Sequence, residues 1–434
     1  MSSEKGRQNF CNAVKLGLIT ILFIVCCLQC LWCFREFAKQ PYVTSNSFQA
    51  SDAEELPPVL LCPTPWLNMT KINQEGISVQ LTEYLMSGLS DFLLIDPVFS
   101  DSQDLEDQYQ NLTQTHNGWS VRDFMFNNSF QCKDVLIACR IGGTMVPDCC
   151  TWLSKVYTPV GMCFRFQSLR DSNQSSELMQ YVSGAGGGLS IVGKVVDNGL
   201  DPVTSRPVST GFILSTSLAP TFHLPSPLLI PNGFSVYIEI EKVFSQRVSN
   251  CVAKADVGIS RYFKDIDAYN YHREICHFEC VSGYILEKCG CTVDTYDAYK
   301  LPNVPMCSPK SNIDCSFNVS RNSTVLSNCS KQCLAPCQHT FYKHSISMSS
   351  LEASVLNRLR NRSRARDQVL PEDLSRIVDI HMFYGSMGYM FRLETFSLTV
   401  SGLISNIGGQ MGIWLGWSLL SILDFFRVSL EKRR

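Results

Sequence analysis

Apolar positions bunch towards the two ends of this chain and alternate in between. Near the start, Leu16 to Cys33 (LGLITILFIVCCLQCLWC) runs 18 residues with Gln29 as its one strongly polar side chain. Near the end, Leu398 to Phe426 (LTVSGLISNIGGQMGIWLGWSLLSILDFF) runs 29 residues. A bilayer core takes about 20 apolar residues of helix, so both stretches predict membrane spans, the second with room for tilt or a local break. Between them, Phe234-Ser235-Val236-Tyr237-Ile238-Glu239-Ile240 alternates at the strand period after the turn residues Pro231 and Gly233. Val378-Asp379-Ile380-His381-Met382-Phe383-Tyr384 does the same. The pattern predicts an α+β membrane protein in which two transmembrane helices flank a large strand-centred domain.

The second apolar stretch is too polar for a passive anchor. Ser401, Ser405, Asn406, Gln410, Ser418, Ser421 and Asp424 sit inside it. An amide or carboxylate at membrane depth is costly and normally faces a protein interior or a water-filled path. On a continuous helix, Asn406 and Asp424 stand five turns apart at about 3.6 residues per turn. Gln410 follows Asn406 by one turn and Ser421 precedes Asp424 by one turn, so all four share one stripe. Gly408, Gly412 and Gly416 recur every fourth residue, with Gly402 and Gly409 beside them. Taken alone, these glycines read as a packing seam between helices. Together with the polar stripe they read better as the wall of a conduit.

The chemistry of the middle region sets the topology. Eight Asn-x-Ser/Thr sequons lie between the apolar stretches, at Asn68, Asn111, Asn127, Asn173, Asn318, Asn322, Asn328 and Asn361. Their confinement to one region marks it as lumenal or extracellular and each as a candidate glycosylation site. The ends are basic, with Lys5, Arg7 and Lys15 at one and Arg427, Lys432, Arg433 and Arg434 at the other. Positive flanks stay in the cytoplasm. Both termini are therefore expected inside, in a multi-pass plasma-membrane protein. A cleaved signal peptide competes for the first stretch, but the flank Trp32-Cys33-Phe34-Arg35-Glu36-Phe37 lacks the small residues of a cleavage site.

Of 21 cysteines, five (Cys11, Cys26, Cys27, Cys30, Cys33) lie early and sixteen fall between Cys62 and Cys337. An even number in an oxidising compartment predicts disulfides. Cys329-x3-Cys333-x3-Cys337 and Cys289-x-Cys291 raise zinc as an alternative. The sequons at Asn322 and Asn328 place that segment outside the reducing compartment zinc proteins favour, so no metal is expected. Residues 40 to 423 hold 28 Lys and Arg against 35 Asp and Glu, a net −7 that mildly attracts cations. Arg358, Arg360, Arg362, Arg364 and Arg366 alternate in a polar run, read as a solvated loop. The seven histidines are scattered, and neither a nucleophile elbow nor a Walker sequence is present. An enzyme has no foothold here; no cofactor and no nucleic-acid partner are expected.

The run Ser405-Asn406-Ile407-Gly408-Gly409-Gln410-Met411-Gly412-Ile413-Trp414-Leu415-Gly416-Trp417-Ser418 resembles the second transmembrane segment of the degenerin/epithelial sodium channel family. That family carries a Gly-Gly-Gln-x-Gly run followed by a Gly/Ser-x-Ser selectivity motif. By this resemblance Gly416, Trp417 and Ser418 occupy the filter, where the helix is interrupted in at least one family state. Ser405 then falls at the gate position where bulky substitutions hold degenerins open. Leu56 to Cys62, Gly161 to Gln167, the glycine run Gly184 to Leu189, Pro231-Asn232-Gly233 and the cysteine pattern from Cys276 to Cys337 resemble further family segments, in family order.

The resemblance implies bridges Cys62–Cys163, Cys251–Cys337, Cys276–Cys333, Cys280–Cys329, Cys289–Cys315 and Cys291–Cys307. It leaves the pairing of Cys132, Cys139, Cys149 and Cys150 open. It also implies a homo- or hetero-trimer with related subunits, Na⁺ as the permeant ion, and opening through the ectodomain, with an extracellular ligand as one stimulus. The chain departs from the family in four places. Met1–Val14 holds no His, Arg247-Val248-Ser249-Asn250 replaces an aromatic-Gly pair, Asn406 stands where an acid is common, and Trp417 stands where the filter residue is usually small.

The expected organisation is a cytoplasmic segment at 1–14, a first span at 15–34, a cysteine-rich ectodomain at 35–397, a pore segment at 398–426 and a cytoplasmic end at 427–434. The expected function is a pore-forming subunit of a sodium-permeable, voltage-independent cation channel. A non-conducting accessory subunit or receptor of the same fold is the alternative. A secreted disulfide-rich binding protein fits less well, because it leaves Asn406, Gln410 and Asp424 unexplained.

Overall fold

The computed structural model describes residues 2–87, 103–115, 119–158, 161–166, 178–196, 211–216, 227–252, 271, 273–293, 305–351, 374–416, 418 and 421. The chain divides into two compact units: Ser47–Phe391, and the end segments Met1–Asn46 with Arg392–Arg434.

The strand alternation seen in the sequence builds a seven-stranded sheet. Its order is Gln338–Ser350, Phe234–Gln246, Ile377–Phe396, Leu189–Lys194, Leu136–Ile141, Thr144–Val146, with Tyr42–Ala50 also paired to Ile377–Phe396. The strand beginning at Phe234 runs on to Gln246, in antiparallel register with Gln338–Ser350. Val236, Ile238 and Ile240 are buried on one face, while Tyr237 and Glu239 emerge on the other. A second, all-antiparallel sheet has the order Leu228–Pro231, Gly211–Thr216, Val59–Thr64, Gly161–Phe166, Leu153–Thr158.

The inner faces of both sheets share one core, where Leu61, Phe164, Phe212 and Leu214 join Ile238, Val378, Ile380 and Tyr384. Each fully buried side chain of this size contributes about 1.5–3 kcal/mol. Gln180 stitches the core at its edge. Its amide oxygen accepts the Tyr384 N–H (2.9 Å) and its amide nitrogen donates to the Tyr384 carbonyl (3.1 Å).

Helices cover the remaining apolar surface of this unit. Met69–Gln74, Val79–Ser87, Gln103–Thr115 and Val121–Asn128 contribute to a cluster around Trp66, Ile72, Tyr84, Leu85 and Met125. Arg273–Cys289 buries Ile275, Phe278, Val281 and Ile285. Those residues recur every third or fourth position, one stripe of a helix. They pack with Val319 and Val325 from Phe317–Ser320 and Ser323–Gln332.

The end segments form the other unit. Helix Ser2–Lys39 contains Ala13–Lys39, which among the described residues is the one helix long and apolar enough to cross a membrane. Leu16, Leu18, Ile21, Leu28, Leu31 and Trp32 are exposed around it. A helix that is apolar all round without a core to cover it suits a lipid solvent. Cys26 and Cys33, two turns apart, are its buried residues among those described from Ala13 on, and helix Val400–Leu415 packs beside it.

Candidate functional site

Helix Val400–Leu415 begins where the Thr399 hydroxyl accepts the Gly402 N–H at 3.1 Å. It ends because Gly416 turns to φ +65°, and the Gly416 N–H closes on the Gly412 carbonyl at 3.1 Å. A residue in the left-handed region at a helix end is usually Gly, since a Cβ is strained there. Two residues later the Ser418 hydroxyl accepts the N–H of the helical Ser421 at 3.2 Å, the bond an N-cap makes. Gly-x-Ser thus joins the helix stop at Gly416 to a cap-type hydrogen bond between the Ser418 hydroxyl and the Ser421 N–H.

The five-turn phase from Asn406 to Asp424 therefore does not run unbroken: Asn406 and Gln410 share a face, and Ser421 belongs beyond the turn. Ser405, Asn406, Ser418 and Ser421 are exposed and Gln410 is half-buried. Trp417 and Asp424 lie outside the described residues.

Polar groups in this unit find each other. The Trp414 indole N–H points at the Gln29 amide oxygen (2.5 Å) and the Gln410 amide oxygen (3.0 Å). One donor serves two acceptors, and it ties the lone polar residue of the first apolar stretch to the second. Sequence reasoning flagged both glutamines but missed Trp414; the signal was its position one turn after Gln410. The same two helices leave a groove of about 490 Å³ lined by Ile19, Thr20, Leu22, Phe23, Trp414 and Leu415.

In the other unit all sixteen cysteines from Cys62 to Cys337 are bonded. Cys276 and Cys280, one turn apart on Arg273–Cys289, bond Cys333 and Cys329, which are also one turn apart. They form two rungs between paired helices. Cys289–Cys315 and Cys291–Cys307 extend the ladder, Cys251–Cys337 closes it beside the short pair Cys251–Val252 and Ala335–Pro336, and Cys62–Cys163 links neighbouring strands. The four cysteines left open by sequence pair as Cys132–Cys150 and Cys139–Cys149. Cys149 and Cys150 are adjacent in a tight turn, so their side chains diverge, one to the strand Leu136–Ile141 and one to the helix before it. Cys26, Cys27, Cys30 and Cys33 are free thiols.

Six sequons are described, and every one is on a helix or caps one. Asn111, Asn127, Asn318, Asn322 and Asn328 are exposed, and Asn68 is half-buried. Asn68 and Asn322 cap helices through Oδ1, which leaves Nδ2, the atom a glycan joins, outside that bond. Asn173 and Asn361 lie outside the described residues. Among the described residues no group of His, Cys, Asp and Glu is placed to hold a metal.

One constellation imitates an active site. His381 Nδ1 stands 2.9 Å from the Ser190 hydroxyl and His381 Nε2 3.0 Å from Asp379. Ser190 is buried and also takes a hydrogen bond from Arg140 (3.4 Å), while Asp379 accepts from Ser235 (3.1 Å). These residues lace four strands of the sheet together and offer no exposed nucleophile. Elsewhere, burial and the Glu106 carboxylate hold the Tyr84 phenol far above the ordinary tyrosine range. Burial, with Tyr342, Glu54 and Glu55 nearby, does the same for Tyr384. Burial lowers His339 and His344, whose Nε2 stands 2.9 Å from the Thr216 hydroxyl.

Fold and site together define a disulfide-stapled, strand-rich domain joined to an apolar helix. A family model described as amiloride-sensitive sodium channel matches residues 13–428. Acid-sensing ion channel 2 of Danio rerio is 23% identical over 414 residues, covering 91% of this chain and 73% of that relative. Epithelial sodium channel subunit alpha of Neoceratodus forsteri is 25% identical over 277 residues, covering 61% and 40%. Sodium channel protein Nach of Drosophila ananassae is 24% identical over 460 residues, covering 99% and 84%. The chain belongs to the amiloride-sensitive sodium channel family, whose members are cation-channel subunits that assemble with related subunits.

Proposed function

We propose that this chain is a pore-forming subunit of a sodium-permeable, voltage-independent cation channel, assembled as a trimer and opened through its ectodomain. The observation that carries this reading is the helix stop at Gly416 followed by the Ser418 cap. Irregular backbone at membrane depth persists only where water or protein satisfies its polar groups. Repeated around an axis, three such turns give a ring of carbonyls and hydroxyls suited to a partly dehydrated cation. Gly416, Trp417 and Ser418 form the filter, Asn406, Gln410, Ser421 and Asp424 line the path, and Ser405 is the gate. Neither apolar stretch carries the repeated arginines a voltage sensor needs. Both termini are cytoplasmic, with spans at 15–34 and 398–426, and the sequons carry glycans. An activator of the ectodomain acts by binding the open and closed states unequally.

A non-conducting accessory subunit is favoured by one observation: Trp414 of the same chain already engages Gln410. Whole-cell current separates the two, with Na⁺ replaced by a large impermeant cation. A Na⁺ current from Ser405→Phe whose permeability changes with Ser418→Cys is the expected result. Silence of both variants at normal surface density counts against a homomeric pore and for the accessory subunit.

A further inference from the structure

The groove between the two apolar helices, about 490 Å³, has the size of a ligand pocket, which runs from about 300 to 1,000 Å³. Its chemistry is unusual for one, because it holds no free polar hook. Of its lining residues, Thr20 and Trp414 carry the side-chain hydrogen-bond donors. The Thr20 hydroxyl donates back to the Leu16 carbonyl at 2.8 Å, as a helical threonine does. The Trp414 N–H is spent on Gln29 and Gln410. What meets an occupant is hydrocarbon, from Ile19, Leu22, Phe23 and Leu415, and the carbon of the indole.

The groove is continuous with the outside of the first helix. Ile19 is 50% and Phe23 51% exposed, one turn apart, beside the more exposed Leu16, Leu18 and Ile21. A helix surface that is apolar on every side has hydrocarbon as its solvent. Left empty, the groove would cost its lining the dispersion contacts of one side, and water there would lack polar partners. Leu415 is the last residue of the helix that stops at Gly416, so an occupant lies against that stop. Trp414 both lines the groove and holds Gln410 through its N–H. One ring therefore joins the occupant to a residue of the conduction path.

We propose that this groove binds the acyl tail of a bilayer phospholipid, and that the tail braces Trp414 where it holds Gln410. The inference rests on the reading of both apolar stretches as membrane spans. A tail is the occupant because it asks for no hydrogen bond and already lies at the exposed faces of Ile19 and Phe23. By binding the arrangement with Gln410 held better than the one with it released, the tail shifts the balance towards the first.

The test uses the full chain in phosphatidylcholine vesicles in which a small share of the lipid carries a diazirine on one tail. After irradiation, adducts are mapped by peptide mass spectrometry. Trp414 and Leu415 are expected to carry several-fold more adduct per residue than the lipid-facing Leu18 and Ile21. Thr20→Phe fills the groove and is expected to lower the Trp414–Leu415 yield about tenfold, with Leu18 and Ile21 unchanged. Thr20→Val keeps the volume, drops the hydroxyl and labels like the parent. Gln410→Leu takes one acceptor from the indole and, by reciprocity, is expected to lower the same yield about fivefold. A yield no higher than at Leu18 and Ile21, or one that Thr20→Phe leaves unchanged, is ordinary lipid contact and overturns the site. Adducts at Leu18 and Ile21 with none at Trp414 and Leu415 overturn it too, because a protein segment then covers the groove. A yield indifferent to Gln410→Leu overturns the bracing. Absence of adducts along both helices overturns the membrane reading itself, a result distinct from the others.

Discussion

From Cys62 to Cys337 every cysteine is bonded and two sheets share a closed core, whereas the end segments keep Cys26, Cys27, Cys30 and Cys33 as thiols. The first region excludes water and restricts the unfolded chain. Between its two helices the second has a shared indole hydrogen bond from Trp414 to Gln29 and Gln410. In hydrocarbon there is no hydrophobic drive between helices, so packing and polar contacts must hold them. The contrast teaches that rigidity is concentrated in the disulfide-bonded unit. The helices are left with contacts weak enough to rearrange.

Removing the bridge that closes the longest loop tests the rigid side hardest. Cys62→Ala with Cys163→Ala opens a link across 101 residues and is expected to cost about 4 kcal/mol. Cys26→Ala with Cys33→Ala is expected to cost clearly less, and thermal melts of the full chain in detergent compare the two. An equal loss in both pairs would erase the contrast.

Gly161→Ala is next. Gly161 has φ +113°, and a Cβ there would meet the Trp66 indole at 2.4 Å. Strain plus overpacking is expected to cost roughly 3 kcal/mol, read as lost surface delivery and a lowered melting temperature.

On the weaker side, Trp414→Phe strips the donor from Gln29 and Gln410 and is expected to cost about 1 kcal/mol. Adding Gln29→Leu should recover most of that loss. Failure to recover would mean the indole packs rather than bonds.

The smallest effect is electrostatic and confined to the disulfide-bonded unit. His339 and His344 are held below the ordinary 6.5 by burial, so the folded state prefers them neutral. Between their folded values and 6.5 the unfolded chain binds more protons, so stability is full above that window and falls as pH drops through it. Lys155, buried near Lys71, is lowered to about 8. Stability therefore rises with pH from about 8 to the ordinary 10.5. Melting temperatures across pH should show both slopes, and His339→Gln with His344→Gln should flatten the acidic one.

The sequence by itself determined what depends on nearest neighbours and on counting. The strand starting at Phe234 and the one through Val378 to Tyr384 were legible because alternation is a local signal. The long first helix was legible from its unbroken apolar run, and an even cysteine count announced a bonded domain. The helix stop at Gly416 was anticipated only through the family resemblance, since periodicity alone read a continuous helix through it.

Tertiary structure decided whatever joins distant residues. Cys132 could bond any of three partners until the turn at Cys149–Trp152 sent two neighbouring cysteines to different elements. Gln29 met Trp414 across 385 residues, and Ser190 met His381 across 191. Ile346 and Met348 stand opposite the buried Ile238 and Val236 yet are exposed, because their strand is the edge of the sheet, and only the order of strands decides that. Periodicity assigns a side chain to a face; what lies against that face is set by where the rest of the chain goes.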